Sequence, residues 1–172
     1  MSMKPVPAPD KDPSTAYPVA PDEARTRPFG ALGEGDTALI EAAGQLPVAE
    51  HIVPTEDGKG SLRVVKQDTP GQTMAIVEKT GADGTVTRSN TRINKLGMST
   101  APAVSAYTFE RPSGGQRSEI TVAMDNQVGS GARPRDIELE HDPQRAQAVK
   151  VEIAGKFAEA SRHLGETGIK AA

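Results

Sequence analysis

Residues 142–165 read DPQRAQAVKVEIAGKFAEASRHLG, and this stretch decides the fold class. Asp142 is a helix-capping residue type. Pro143 at the first helical position gives up an N–H that no helix would pair. Ala146, Val149, Ile153, Phe157, Ala160 and Leu164 then recur every three or four residues, drawing one apolar stripe down a helix over 143–164. Gly165 stands where a left-handed C-cap is expected. Gly155 costs about 1 kcal/mol against Ala inside a helix and is read as a point of close packing. A helix with one apolar stripe needs an apolar surface to cover.

The sequence upstream supplies that surface as strands. Ser61–Gln67 (SLRVVKQ) and Thr73–Lys79 (TMAIVEK) are short β-branched runs with Gln67-Asp68-Thr69-Pro70-Gly71 between them as a turn. Gly81-Ala82-Asp83-Gly84 makes the next turn, and Thr85–Lys95 (TVTRSNTRINK) alternates as a strand with much polar surface. Ala103–Glu110 (AVSAYTFE) follows. Pro112-Ser113-Gly114-Gly115 then turns the chain into Arg117–Met124 (RSEITVAM). A further short strand is expected at Asp136–Glu140. Short connections imply antiparallel neighbours. A short helix is expected at 37–46, with Asp36 as its cap and Gly44 and Pro47 at its end. The reading is an α+β fold: an antiparallel β-meander of about five or six strands, with the C-terminal amphipathic helix packed on one face.

Apolar residues are unevenly spread. Of the 31 Leu, Ile, Val and Phe residues, only Val6, Val19, Phe29 and Leu32 precede residue 36, so the core lies after it. Seven of the 14 prolines fall within residues 1–28. Proline removes the N–H that helices and central strands need, so residues 1–35 are read as a disordered Pro-rich tail and 36–172 as a single domain. The absence of cysteine rules out disulfides, thiolate metal sites and thiol catalysis. The start of the chain has no basic segment followed by an apolar run, and no stretch is apolar enough for a membrane-spanning helix. A cytoplasmic location is the default expectation, and export by a route that reads the N-terminal tail also fits. Usage rich in Ala, Gly and Pro suits a bacterial coding sequence of high GC content.

Three groups of residues carry chemistry worth weighing. His51, His141 and His163 each have acidic neighbours: Glu50, Glu56 and Asp57; Glu138, Glu140 and Asp142; Glu159 and Glu166. If folding joined His51 to His141 and Glu140, a metal-assisted hydrolase or nuclease would follow. The spacing matches no metal signature, and no metal or cofactor is expected. His163 reads as a helix-surface contact. On the strand at 85–95, Arg88, Asn90, Arg92 and Asn94 share one face by their spacing of two. Guanidinium forks with amides between them suit carboxylate or phosphate groups. Residues 59–95 also hold seven basic residues against three acids, in a chain of net charge −3. Finally, Tyr107 and Phe109 point the same way along one strand. With so few aromatics in the domain, both are expected inside, against Phe157.

The function expected from these features is a non-catalytic protein–protein interaction module, of adaptor, inhibitor or secreted-effector type. It would bind a protein partner through the face of Arg88, Asn90, Arg92 and Asn94 or through a strand edge. The alternatives are the metal-assisted hydrolase with His51, His141 and Glu140, and a nucleic-acid or anionic-ligand binder that uses the basic 59–95 region.

Overall fold

In a computed structural model of the chain, the residues described are 30–95, 101–126, 139–140 and 143–169. The elements run α1 (Glu34–Gly44), β1 (Ala49–Pro54), β2 (Ser61–Asp68), β3 (Gln72–Thr80), β4 (Val86–Asn94), β5 (Ala103–Arg111), β6 (Thr121–Ala123), β7 (Leu139–Glu140) and α2 (Pro143–Glu166). The strands form one sheet in sequence order. Pairing is antiparallel from β1 to β6, as the short connections require. The two-residue β7 pairs parallel to β6, so the last strand runs in the same direction as its neighbour and breaks the antiparallel alternation. Residues 136–138 of the strand expected there, the Pro-rich 1–29 segment and Asp142 lie outside the described residues. No helix among the described residues is long and apolar enough to cross a membrane.

Both helices pack on the same face of the sheet. The inward set of the strands is small or medium-sized: Val53, Leu62, Val64, Ala75, Val77, Ile93, Val104 and Ala106. The helices bring Leu39, Ile153, Phe157 and Leu164, all fully buried, to fill the space above them. The α2 stripe is therefore core cover, as its period of three and four residues implies.

Several local expectations change. β1 is absent from the strands expected above, because Pro47 and Pro54 bracket a stretch that also carries Glu50 and His51. As the sheet's edge strand it tolerates Pro at its end. β6 is only three residues long, against the eight expected at Arg117–Met124. Asp36 is not the α1 cap: Gly33 is, and Asp36 lies in the first turn with its carboxylate accepting from the Gly33 N–H at 2.8 Å. Gly155 is exposed, and a Cβ there would meet nothing within 4 Å, so it serves no close packing. The close approach is at Gly35, where a Cβ would collide with the Gln147 carbonyl oxygen. The left-handed residue that ends α2 is Gly168 (φ 94°), not Gly165.

Two lysines explain how α1 is held. Lys66 points inward, 6% exposed, and donates to the carbonyls of Gly44 (3.3 Å) and Leu46 (3.0 Å) at the C-terminal end of α1. Burial lowers its pKa from the ordinary lysine value. Lys150 on α2 and Asp36 on α1 form a fully buried ion pair of 2.6 Å. Lys150 also donates to the Val104 carbonyl of β5 at 2.9 Å, which links both helices and the sheet at one point.

Candidate functional site

The second face of the sheet carries no helix among the described residues, and its side chains follow from the strand register. A central row runs Val65, Ile76, Asn90, Tyr107, Val122, each residue opposite the next on the neighbouring strand. The row on one side is Ile52, Arg63, Glu78, Arg88, Phe109. The row on the other side is Gln67, Met74, Arg92, Ser105. Beyond these, Asn94 stands opposite Gln72 and Ala103, and Arg111 stands opposite Val86. Residues directly opposite have Cβ atoms about 5 Å apart, so the rows form contiguous patches.

Arg88, Asn90, Arg92 and Asn94 thus share one face, as their spacing requires. Tyr107 and Phe109 share it with them. They are half-buried, belong to no part of the core cluster, and lie on the opposite side of the sheet from Phe157. The expectation that they complete the core is corrected. Their ring centroids are 6.1 Å apart and their planes differ by 3°. The Arg111 guanidinium sits over the Phe109 ring at 5.8 Å, within cation–π range. Strand alternation alone implies that these rings oppose Val104 and Ala106. It does not say which set the helices cover.

The charges on this face are not equivalent. Arg63 is neutralised by Glu50 (2.5 Å) and Glu78 (2.9 Å), and these two carboxylates push its pKa up. Arg88 shares Glu78 at 3.4 Å, while its Nε is shielded from solvent without a hydrogen-bond partner. Arg92 and Arg111 are exposed and form no ion pair among the described residues. Four guanidinium groups therefore face two carboxylates, and the uncompensated charge lies on the β4–β5 side, beside the aromatic pair.

The basic excess of residues 59–95 does not form one surface. Lys66 is buried against α1, and Lys95 is tied to Asp68 at 2.9 Å. Only Arg63, Arg88 and Arg92 of that segment lie on the helix-free face, by register.

Of the residues in the hydrolase reading, the described ones, His51 and Glu140, stand on opposite edge strands. His51 is on β1, opposite Val64, with its Nε2 3.1 Å from the Val48 carbonyl. Glu140 is on β7, at the other edge of the sheet. Six strand spacings of about 4.8 Å put them on the order of 25–30 Å apart along the sheet, against the roughly 2 Å at which each ligand sits from a shared metal. His141 and Glu138 lie outside the described residues. His163, read as a simple surface contact, meets Glu56 of the β1–β2 connection, although sequence proximity assigns Glu56 to His51. No family model matches the chain, and no curated protein or solved structure matches it.

Proposed function

We propose that this chain is a non-catalytic protein-interaction module whose helix-free sheet face docks an acidic partner protein. The observation that carries the reading is the outward placement of Tyr107 and Phe109 between Arg88, Arg92 and Arg111. Protein interfaces are enriched in aromatic residues, Met and Arg and depleted in Lys. This face combines Tyr107, Phe109, Met74 and Ile76 with four arginines, and no lysine lies in the rows described above. Apolar residues form the middle of the patch, and Arg92 and Arg111, which pair with no carboxylate among the described residues, stand at its border. That is the arrangement in which a few anchors supply most of the binding energy. The uncompensated positive charge selects a partner with carboxylates in matching positions.

A photo-crosslinking amino acid at Phe109 tests this directly, with the same group at Glu152 on the exposed side of α2 as the reference. Expressed in the native host, the Phe109 probe is expected to yield a discrete protein adduct that Arg92→Glu together with Arg111→Glu removes. Equal adducts at both positions, or an adduct indifferent to the charge reversal, overturns the assignment of the face. An adduct sensitive to nuclease and not to protease transfers the face to a nucleic-acid partner.

A further inference from the structure

His163 and Glu166 stand three residues apart at the end of α2, so they share one side of its last turn. The β1–β2 connection brings Glu56 to the same place. One ligand atom from each of the three residues lies within 4.8 Å of the others. His163 Nδ1 is 4.0 Å from Glu56 Oε1 and 3.9 Å from Glu166 Oε1.

The imidazole is oriented from behind. Its Nε2 lies 2.7 Å from the Pro54 carbonyl, which can only accept, so Nε2–H donates there and Nδ1 is turned toward the two carboxylates. Nδ1 is shielded from solvent and has no hydrogen-bond partner, and the His163 side chain is 12% exposed. His163 Nδ1, Glu56 Oε1 and Glu166 Oε1 therefore face one another, with the Arg162 guanidinium already against Glu56 Oε1. The separations of 3.9 and 4.0 Å are beyond hydrogen-bond reach, whereas a metal ion between the three atoms would bond to all of them. With two separations of 4.0 and 3.9 Å and the third at most 4.8 Å, a point equidistant from the three atoms lies about 2.3–2.5 Å from each, a few tenths of an ångström beyond zinc–ligand lengths.

The surrounding contacts resemble those of a ligand set. A metal-bound histidine commonly donates its other ring N–H to a backbone carbonyl, as His163 does to Pro54. Arg162 holds Glu166 by Oε2 at 2.7 Å, which leaves Oε1, the atom nearer His163, for another partner. Arg162 also contacts Glu56 Oε1, so it is both an orienting group and the resident competitor for that carboxylate.

We propose that His163, Glu166 and Glu56 form a binding site for a divalent transition-metal ion of the zinc class. One imidazole with two carboxylates favours zinc, cobalt or manganese over calcium and magnesium, which take oxygen ligands. The bound ion would fasten the β1–β2 connection to the end of α2. The site uses none of the residues of the helix-free face.

Calorimetric titration of the chelator-stripped full chain with zinc chloride, and with cobalt chloride followed by visible absorption, tests the proposal. One ion per chain is expected. His163→Gln and Glu166→Gln should each weaken binding at least about tenfold, and His51→Gln should leave it unchanged. Glu166 is exposed, so its variant keeps the test valid if His163→Gln fails to fold. No heat and no cobalt spectrum at millimolar metal overturns the site. So does binding of wild-type strength in the His163→Gln/Glu166→Gln double variant, because the ion then sits elsewhere.

Discussion

Replacing Lys150 by Met is the most informative perturbation of the fold. Lys150 and Asp36 are both 0% exposed, and their 2.6 Å ion pair joins α2 to α1. Met keeps the length and the apolar stem but removes the ammonium, stranding a carboxylate in the interior. Asp36 would retain the Gly33 N–H at 2.8 Å and the Gln147 Nε2 donor at 3.1 Å, which do not neutralise it. Removing one partner of a buried pair costs about 3–5 kcal/mol. Against a total stability of about 5–15 kcal/mol, that loss approaches unfolding for a modest core. Asp36→Asn strands the ammonium instead and falls in the same range. The double variant Asp36→Asn/Lys150→Met has no orphan charge, and the new amide oxygen still accepts from the Gly33 N–H. Its cost is expected below about 2 kcal/mol, well under the sum of the singles. Urea unfolding monitored by circular dichroism reads all four proteins. If each single variant loses less than about 1 kcal/mol, or if the double equals the sum of the singles, the charges are solvated and do not form a buried pair.

Three further outcomes follow from particular contacts. Phe157→Ala should cost about 3–5 kcal/mol, whereas Phe109→Ala should cost about 1 kcal/mol, because only Phe157 belongs to the core cluster; equal losses in urea melts would return Phe109 to the core. Gly155→Ala should stabilise by about 1 kcal/mol, since a Cβ there meets nothing, whereas Gly35→Ala should destabilise, since the Gln147 carbonyl lies in the way; thermal melts of the two should move in opposite directions. Asp68 has its pKa lowered first by Lys95 and then by Thr73, and Asp83 by the Thr85 N–H, so their stabilisation is present above the ordinary carboxylate range and lost as pH falls through their depressed values. Unfolding midpoints should therefore fall below about pH 4, and Asp68→Asn should show a smaller acid-induced loss than wild type.

What the sequence disclosed tracks how local the cause is. The α2 stripe, the turn before Thr73 (expected at 67–71 and confined to 69–71), the turn at 81–84, and the shared face of Arg88 to Asn94 depend on period and turn chemistry, and each is present in the structure. Contacts between distant residues were not legible. Lys150 lies 114 positions from Asp36, and although its spacing from Ala146 and Ile153 puts it on the stripe face, a lone lysine there reads as solvent-exposed until its partner is seen. Glu56 is five residues from His51 yet serves His163, because the β1–β2 hairpin folds toward the end of α2. β1 was hidden because an edge strand is bound on one side only and accepts residues that a central strand would refuse.

The placement of Tyr107 and Phe109 has a cause in volume. A sheet face covered by two helices has little room, and here the helices bring the large groups: Leu39, Ile153, Phe157 and Leu164. The sheet answers with small ones, so Ala75, Ser89, Thr91, Ala106 and Ala123 are buried beneath them. Tyr107 opposite Asn90 and Phe109 opposite Arg88 have no place in that layer and fall to the other face by alternation. The fold thus puts small residues where it must close and keeps bulky ones where its described elements close nothing. Ile52, 64% exposed at the edge of the same face, extends the pattern. A chain so poor in aromatics holds two of its five in this position, beside Arg92 and Arg111, which form no ion pair among the described residues. This distribution of volume supports docking at the helix-free face independently of charge. It also implies that Tyr107→Ala should weaken partner binding more than it weakens the fold, which adduct yield and urea melts of the same variant compare directly.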